Sequence, residues 1–157
     1  WGRYIIGDAQ QLDICEDASL DFLFSSHVFE HFMNPLGALT NWAKKLKAHG
    51  IVACVIPDLR NCFDLRQPPS SVEEWLEEDR TSRWTPTRAK YEKWCKHTAP
   101  YNTPDNLIGR KYSIHVHYYT PDSILLLVDI LMSRGVYSRY FLNTSPNNKD
   151  FGLVLWK

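Results

Sequence analysis

The tightest constraint on fold lies between Leu20 and Asp58, where the spacing of apolar residues changes period twice. Phe22, Leu23 and Phe24 form a short apolar run that stops at Ser25-Ser26, the pattern of a buried strand over about Leu20–Phe24. "NPLGALTNWAKKLKAHG" then carries helix signals from end to end. Asn34 is a good N-cap, Pro35 suits the first helical position, and Leu36, Leu39, Ala43 and Leu46 share one face. Lys44, Lys45 and Lys47 complement the C-terminal end of the helix dipole, and Gly50 is the expected stop. "IVACVIPD" follows, nearly all apolar, and reads as a strand covered on both faces. Strand, helix and strand in that order predict a parallel α/β sheet.

The flanks extend this pattern. "RYIIGD" predicts an earlier buried strand at Tyr4–Ile6, stopped by Gly7-Asp8. From 59 to 119 the chain is polar and rich in Pro, Trp and charge, too long for a plain connection. A helical insertion or lid, set within one domain spanning 1–157, is the expectation there. Ser71-Val72-Glu73-Glu74 has capping-box spacing ahead of Trp75, and Thr85-Pro86 opens a second helix carrying Ala89, Tyr91, Trp94 and Cys95. Thr120-Pro121-Asp122 opens an apolar helix that runs to about Arg134 and closes at Gly135. "VYSRYFL" and "FGLVLW", separated by the turn-rich "NTSPNNKD", predict a C-terminal antiparallel hairpin.

Composition excludes several classes. Eighteen basic residues balance eighteen acidic ones, so no global field draws this chain to nucleic acid or to an anionic membrane. No apolar stretch approaches a bilayer span. The four cysteines are widely spaced without a CxxC pair, which predicts reduced thiols in a cytoplasmic protein. Trp1-Gly2-Arg3 offers neither an initiator Met nor a charged leader, so the chain is expected to be a cut piece of something longer.

The residues from Ile5 to Asp58 resemble the class I S-adenosylmethionine-dependent methyltransferases of the type 11 kind. The resemblance rests on Gly7-Asp8-Ala9, the acidic Glu16-Asp17, the strand led by Asp21, and the turn from His27 to His31. Lys47-Ala48-His49-Gly50 and the strand end Ile56-Pro57-Asp58 complete it. "CFDLRQP" and "HVHYYTPDSILLLV" are more weakly similar to a subgroup associated with glycan and cell-surface biosynthesis. The resemblance implies a Rossmann-like methyltransferase sheet, mostly parallel with a C-terminal antiparallel hairpin and a helical insertion after the third visible strand. It further implies that the first two strands, with the Gly-rich loop and the acidic residue that binds ribose, would lie upstream of Trp1. The seven glycines of this chain form no Gly-x-Gly.

By the same resemblance, Asp8 and Ala9 hold the adenine of S-adenosylmethionine, and Ser25, Ser26 and His27 lie beneath its methionine part. A plain turn-capping role for Asp8 is the alternative. Methyl transfer to a hydroxyl needs positioning and a group that takes up its proton. His31 or His27 is the candidate base; the alternative is a His31 bonded to backbone or to Glu30. Glu30 shares a helical face with His27. His115 and His117 flank Val116 and so share one side of an extended segment. With Tyr118, Tyr119 and Asp58, they are expected to line the acceptor pocket. Trp75, Trp84 and Trp94 form either the insertion's own small core, the preferred reading, or a sugar- or lipid-facing wall.

The leading expectation is a methyltransferase acting on a small-molecule or glycan-type acceptor. One alternative is a non-catalytic or degenerate domain that self-associates as a homodimer through the strand at Leu20–Phe24, whose usual neighbour would be missing. Another is a metal-dependent hydrolase using His27, His31, His115 and His117. No Asp or Cys joins these histidines at ligand spacing, and no metal is expected.

Overall fold

The computed structural model describes residues 4–144 and 149–157. Four strands form one sheet in the order β1-β2-β4-β3: β1 (Leu20–Ser26), β2 (Leu46–Pro57), β3 (Arg139–Asn143) and β4 (Asp150–Trp156). β1 runs parallel to β2, whereas β4 is antiparallel to both β2 and β3. The C-terminal hairpin is therefore present, but among the described residues the sheet is mixed rather than mostly parallel. Residues 145–148, in the middle of the linker between β3 and β4, and residues 1–3 at the start lie outside the described residues.

Helix α1 (Pro35–Lys45) begins as its sequence dictates. The Asn34 side chain accepts a hydrogen bond from the Gly37 N–H at 2.8 Å, and Pro35 occupies the first turn. It ends five residues before Gly50, because the chain from Leu46 is already paired with β1. The ladder then slips between Leu20↔Leu46 and Phe22↔Ile51, and His49, with φ 65°, absorbs the extra residues. Gly50 serves close approach rather than helix termination. A Cβ there would meet Leu46 Cβ and the Lys47 carbonyl at 3.0 Å.

α5 (Pro121–Ser133) opens with the reciprocal capping box of Thr120 and Ser123. Its Ile124, Leu127, Val128 and Leu131 join Leu36, Leu39 and Ala43 of α1 in the main core. Against them lie Val52, Cys54 and Ile56 of β2, whose register partners on β4 are Leu155, Leu153 and Phe151. All six of these strand residues are buried and belong to one face of the sheet.

Among the described residues nothing covers the opposite face, which corrects the expectation that β2 is covered on both sides. Phe24, Ala53, Val154 and Phe141 line up across all four strands, with Phe22, Ile51 and Trp156 in the next row. Phe22, Phe24 and Phe141 are 65%, 63% and 56% exposed. Nor does the expected first strand form. Tyr4–Ile6 has no strand pairing, and Ile6 is fully exposed, so β1 stays an edge strand among the described residues. An apolar run alone does not make a strand without a partner for its N–H and C=O groups.

Between β2 and α5 the chain forms α2 (Val72–Arg80), α3 (Arg88–His97) and α4 (Pro104–Gly109), with no named strand. Ser71 and Glu74 make the expected capping box. Trp94, Cys95, Leu107, Ile114, Val116 and Tyr118 gather into a second small core. Trp75 instead joins the main core, stacked on Tyr119 at 6.0 Å, and Trp84 packs over α1, where a Cβ on Gly37 would meet its ring at 2.7 Å. The tryptophans are thus shared between two cores and α1, rather than forming one core of their own.

The two faces of the sheet should respond differently to substitution. Leu127→Ala is expected to cost about 2–5 kcal/mol in urea unfolding. Phe24→Ser should stay within about 0.5 kcal/mol in the same measurement.

Candidate functional site

β1 delivers its polar end directly to a cleft. Ser25 is buried, Ser26 is exposed, and the His27 N–H continues the parallel ladder by donating to the Val55 carbonyl at 3.0 Å. His27 itself turns the chain with φ 53°. A single 3-10 turn, Phe29–His31, follows. Phe29 packs into the main core against Tyr119, at 5.4 Å between ring centroids, and this anchors Glu30 and His31 beside it.

The Glu30 backbone carbonyl accepts from both the Val116 N–H (2.8 Å) and the His117 N–H (3.1 Å). Ser113–Tyr118, far along the chain, is thereby laid against the turn. His31 Nδ1 lies 2.9 Å from the Ile114 carbonyl and 3.0 Å from Ser113 Oγ. His115 comes edge-on to His31, with ring centroids 4.7 Å apart, and its Nδ1 lies 2.5 Å from Asp64 Oδ2. Asp64 is held in turn by Thr98, whose hydroxyl donates to Oδ1 at 2.7 Å.

At the centre sits the Glu30 carboxylate, with its side chain 2% exposed and neither oxygen hydrogen-bonded among the described residues. Its Oε1 is 3.8 Å from His27 Nδ1, 4.0 Å from His31 Nε2 and 3.8 Å from His115 Nε2. Burial pushes the Glu30 carboxyl above its usual range, and burial together with the neighbouring His115 pushes His31 below that of an ordinary imidazole. Glu30, His31 and His115 each offer one ligand atom within 4.8 Å of the others. Around them opens a cleft of about 530 Å³, walled also by Pro57, Asn61, Cys62, Phe63, Lys149 and Asp150.

Three of the four histidines singled out in the sequence thus come together, and His117 does not. Ser113–Tyr118 does not run as a regular strand, and with Glu30 receiving two successive N–H groups His117 turns into the interior. It is fully buried, with Nδ1 2.9 Å from Ser70 Oγ and Nε2 2.9 Å from Glu78 Oε2. Nε2 faces two acceptors, the Glu78 carboxylate and the Met33 carbonyl at 3.3 Å, so the neutral ring's N–H lies there and Nδ1 accepts from the Ser70 hydroxyl, which itself accepts from the Tyr118 N–H. Lys90 completes the chain at 2.8 Å from Glu78 Oε1.

Tyr118 is buried in the second core, donating its hydroxyl to the His115 carbonyl at 2.9 Å, and does not line the cleft. Asp58 is turned away as well. Burial would raise its pKa, but the Arg60 guanidinium, bound through Nε and Nη2, holds it below the usual carboxylate range. Asp8 is exposed and accepts from the Gln10 N–H at 2.8 Å, and the Ala9 carbonyl accepts from Trp42 Nε1 at 2.6 Å. Gln10, assigned no role from sequence, ties this stretch to the site by accepting from the Met33 N–H and donating to the Trp84 carbonyl. Phe63 and Asp64 were legible only as part of "CFDLRQP", and Asn61, Lys149 and Asp150 gave no signal as site residues.

A family model described as a methyltransferase domain matches residues 2–54. Among solved structures the chain is similar to an S-adenosylmethionine-dependent methyltransferase of Thermotoga maritima, described as a possible histamine N-methyltransferase. The TM-score is 0.51 at 13% identity, covering 96% of this chain and 61% of that one. It is also similar to a possible exported protein of Bordetella parapertussis, with TM-score 0.50 and 7% identity, covering 96% and 42% of the two chains. At such identities the likeness is one of fold, and the chain spans less than two thirds of either structure. No curated protein matches it. The resemblance to class I S-adenosylmethionine-dependent methyltransferases is borne out. Among the described residues no helix is long and apolar enough to cross a membrane.

The Lys90–Glu78–His117 chain joins two helices to the segment that carries His115. Its interior position means that removing the cation leaves Glu78 a buried and undercompensated charge. Lys90→Met is expected to cost about 3–5 kcal/mol in denaturant unfolding.

Proposed function

We propose, on the premise of a class I methyltransferase fold, that this chain carries the acceptor side of an S-adenosylmethionine-dependent methyltransferase. The observation that carries the reading is the cleft just beyond the carboxyl ends of the parallel pair β1 and β2, lined by His27, Glu30, His31 and Pro57. Open α/β sheets bind their ligands there. The residues matched as a methyltransferase domain, 2–54, include the whole turn from His27 to His31.

The residues present fit the cofactor in part. Where β1 ends, Ser25 Oγ is buried with no hydrogen-bond partner among the described residues, an orphaned polar group of the kind a bound ligand satisfies. Asp8 is exposed, with one oxygen engaged by the Gln10 N–H. Asp8, Ala9, Ser25, Ser26 and His27 would hold their share of the cofactor; a Gly-x-Gly cradle is not among the 157 residues. When bound, S-adenosylmethionine supplies an electrophilic sulfonium methyl. The chain's own work is to seat the acceptor and take up its proton. His27 suits the second task, being 51% exposed in the cleft with Nε2 3.4 Å from Asp150 Oδ1. His31 is a positioning group, since its Nδ1 is spent on Ile114. A hydroxyl-bearing, glycan-type acceptor is favoured by the 64% exposed Phe63 ring on a wall otherwise rich in polar groups.

Calorimetry with S-adenosylhomocysteine on the gene's full-length product tests this reading. Saturable binding is expected, weakened about tenfold, roughly 1.4 kcal/mol, by Asp8→Ala. No binding would sink it. His27→Asn should lower turnover by about a hundredfold or more.

A second reading draws on the open sheet face. A non-catalytic domain that self-associates would cover Phe22, Phe24 and the β1 edge. Light scattering decides it: a monomer across the accessible concentration range ends that reading.

A further inference from the structure

We propose that Glu30, His31 and His115 form a site for one divalent first-row transition-metal ion of the zinc class. Hydrogen-bond accounting carries the argument. The Ile114 carbonyl can only accept, so His31 Nδ1 carries the proton in that contact, and the Asp64 carboxylate sets the same tautomer for His115. Both Nε2 atoms are left with lone pairs, and both face Glu30 Oε1. Among the described residues three acceptors therefore converge on one place with no donor between them, one of them a buried carboxylate without a hydrogen-bond partner.

A proton, a water molecule or a cation would resolve this; a water has two O–H groups for three acceptors, and a cation alone engages all three at once. A proton shared between Glu30 and a ring needs about 2.5–3.2 Å between heavy atoms. The separations of 4.0 and 3.8 Å are too long for that bridge. A metal at about 2.0–2.2 Å from each ligand atom sets those atoms about 3.4 Å apart in a tetrahedral site. The three atoms, all within 4.8 Å of one another, reach that spacing with side-chain shifts of about 1 Å.

The surroundings are those of a metal centre. Metal-bound imidazoles characteristically give their other N–H to a carboxylate or a backbone carbonyl, which fixes ring orientation. His115 has Asp64 and His31 has Ile114 in those roles, and Thr98 holds Asp64 in place. Two imidazoles and one carboxylate suit zinc and its neighbours rather than calcium or magnesium, which take oxygen ligands. Three protein ligands leave a fourth position open toward the cleft, where an oxygen of a bound small molecule would coordinate. The site departs from the expectation of no metal, because Glu30 and Asp64 supply the carboxylates that sequence spacing did not reveal. It stands on these contacts alone, whether or not the cleft transfers methyl groups.

The test uses the tag-free 157-residue chain, stripped with a chelator and titrated with zinc by calorimetry and with cobalt by visible absorption. One equivalent of zinc is expected to bind with Kd at or below about 1 µM, and cobalt should give the d–d bands of a low-coordinate site. Glu30→Gln and His115→Asn should each weaken zinc binding by about a hundredfold or more, while Asp64→Asn should weaken it about 10–100-fold. Glu30→Gln keeps the side-chain shape and removes a buried charge, so its loss of binding is read on a folded protein, verified by its melting curve. His49→Asn, on the exposed bulge, should bind as the wild type does. No saturable binding by the wild type overturns the proposal. So does equal affinity in the wild type and the folded Glu30→Gln and His115→Asn variants, which would mean adventitious zinc.

Discussion

The Glu30 carbonyl, accepting the N–H groups of Val116 and His117 together, is the contact on which the site depends. It closes a loop of more than eighty residues onto a three-residue turn. Without it, His115 and Asp64 would have no reason to meet His31. The turn is firm enough to serve as an anchor because Phe29, one residue earlier, is fixed in the aromatic core by Tyr119, Trp42 and Phe32. Packing energy on one side of the turn thus positions polar chemistry on the other. The cost is a carboxylate held in the interior with no donor among the described residues, an arrangement that interiors rarely tolerate without a function.

A second polar device steadies the same segment from behind. Lys90 of α3, Glu78 of α2 and His117 form a buried chain, and Ser70 holds the far side of the imidazole. His117 is kept neutral mainly by burial, with its N–H directed at Glu78. Neighbouring histidines two residues apart therefore take unrelated roles: one faces the cleft and the other ties helices together. The same division runs through the tryptophans, with Trp75 in the main core and Trp94 in the smaller one.

Much of the local structure was legible in the sequence because its causes are local. Asn34 and Pro35 start α1, Ser71 with Glu74 caps α2, Thr120 with Pro121 starts α5, and the hairpin of β3 and β4 follows from alternation and a turn-rich linker. Errors fell where a distant partner decides. Tyr4–Ile6 has strand composition but pairs with no strand among the described residues. Gly50 looks like a helix stop, yet the helix ends at Lys45 because pairing of Leu46 with Leu20 takes over. Asp58 is the local exception: it looks like an active-site carboxylate at a strand end, yet Arg60, two residues on, captures it.

By itself the sequence determined the order of the elements, the parallel strand–helix–strand unit, and the placing of His27, Glu30 and His31 at the carboxyl end of β1. Those follow from periodicity, capping and chain adjacency, all of which act within a few residues. Only the tertiary structure decided that His115 and Asp64 join this turn while His117 and Tyr118 do not. It alone left one face of the sheet without cover among the described residues. Hydrogen bonds across more than eighty residues and the packing of α1 and α5 on a single face settle these points, and no local pattern encodes which distant group will answer a given donor.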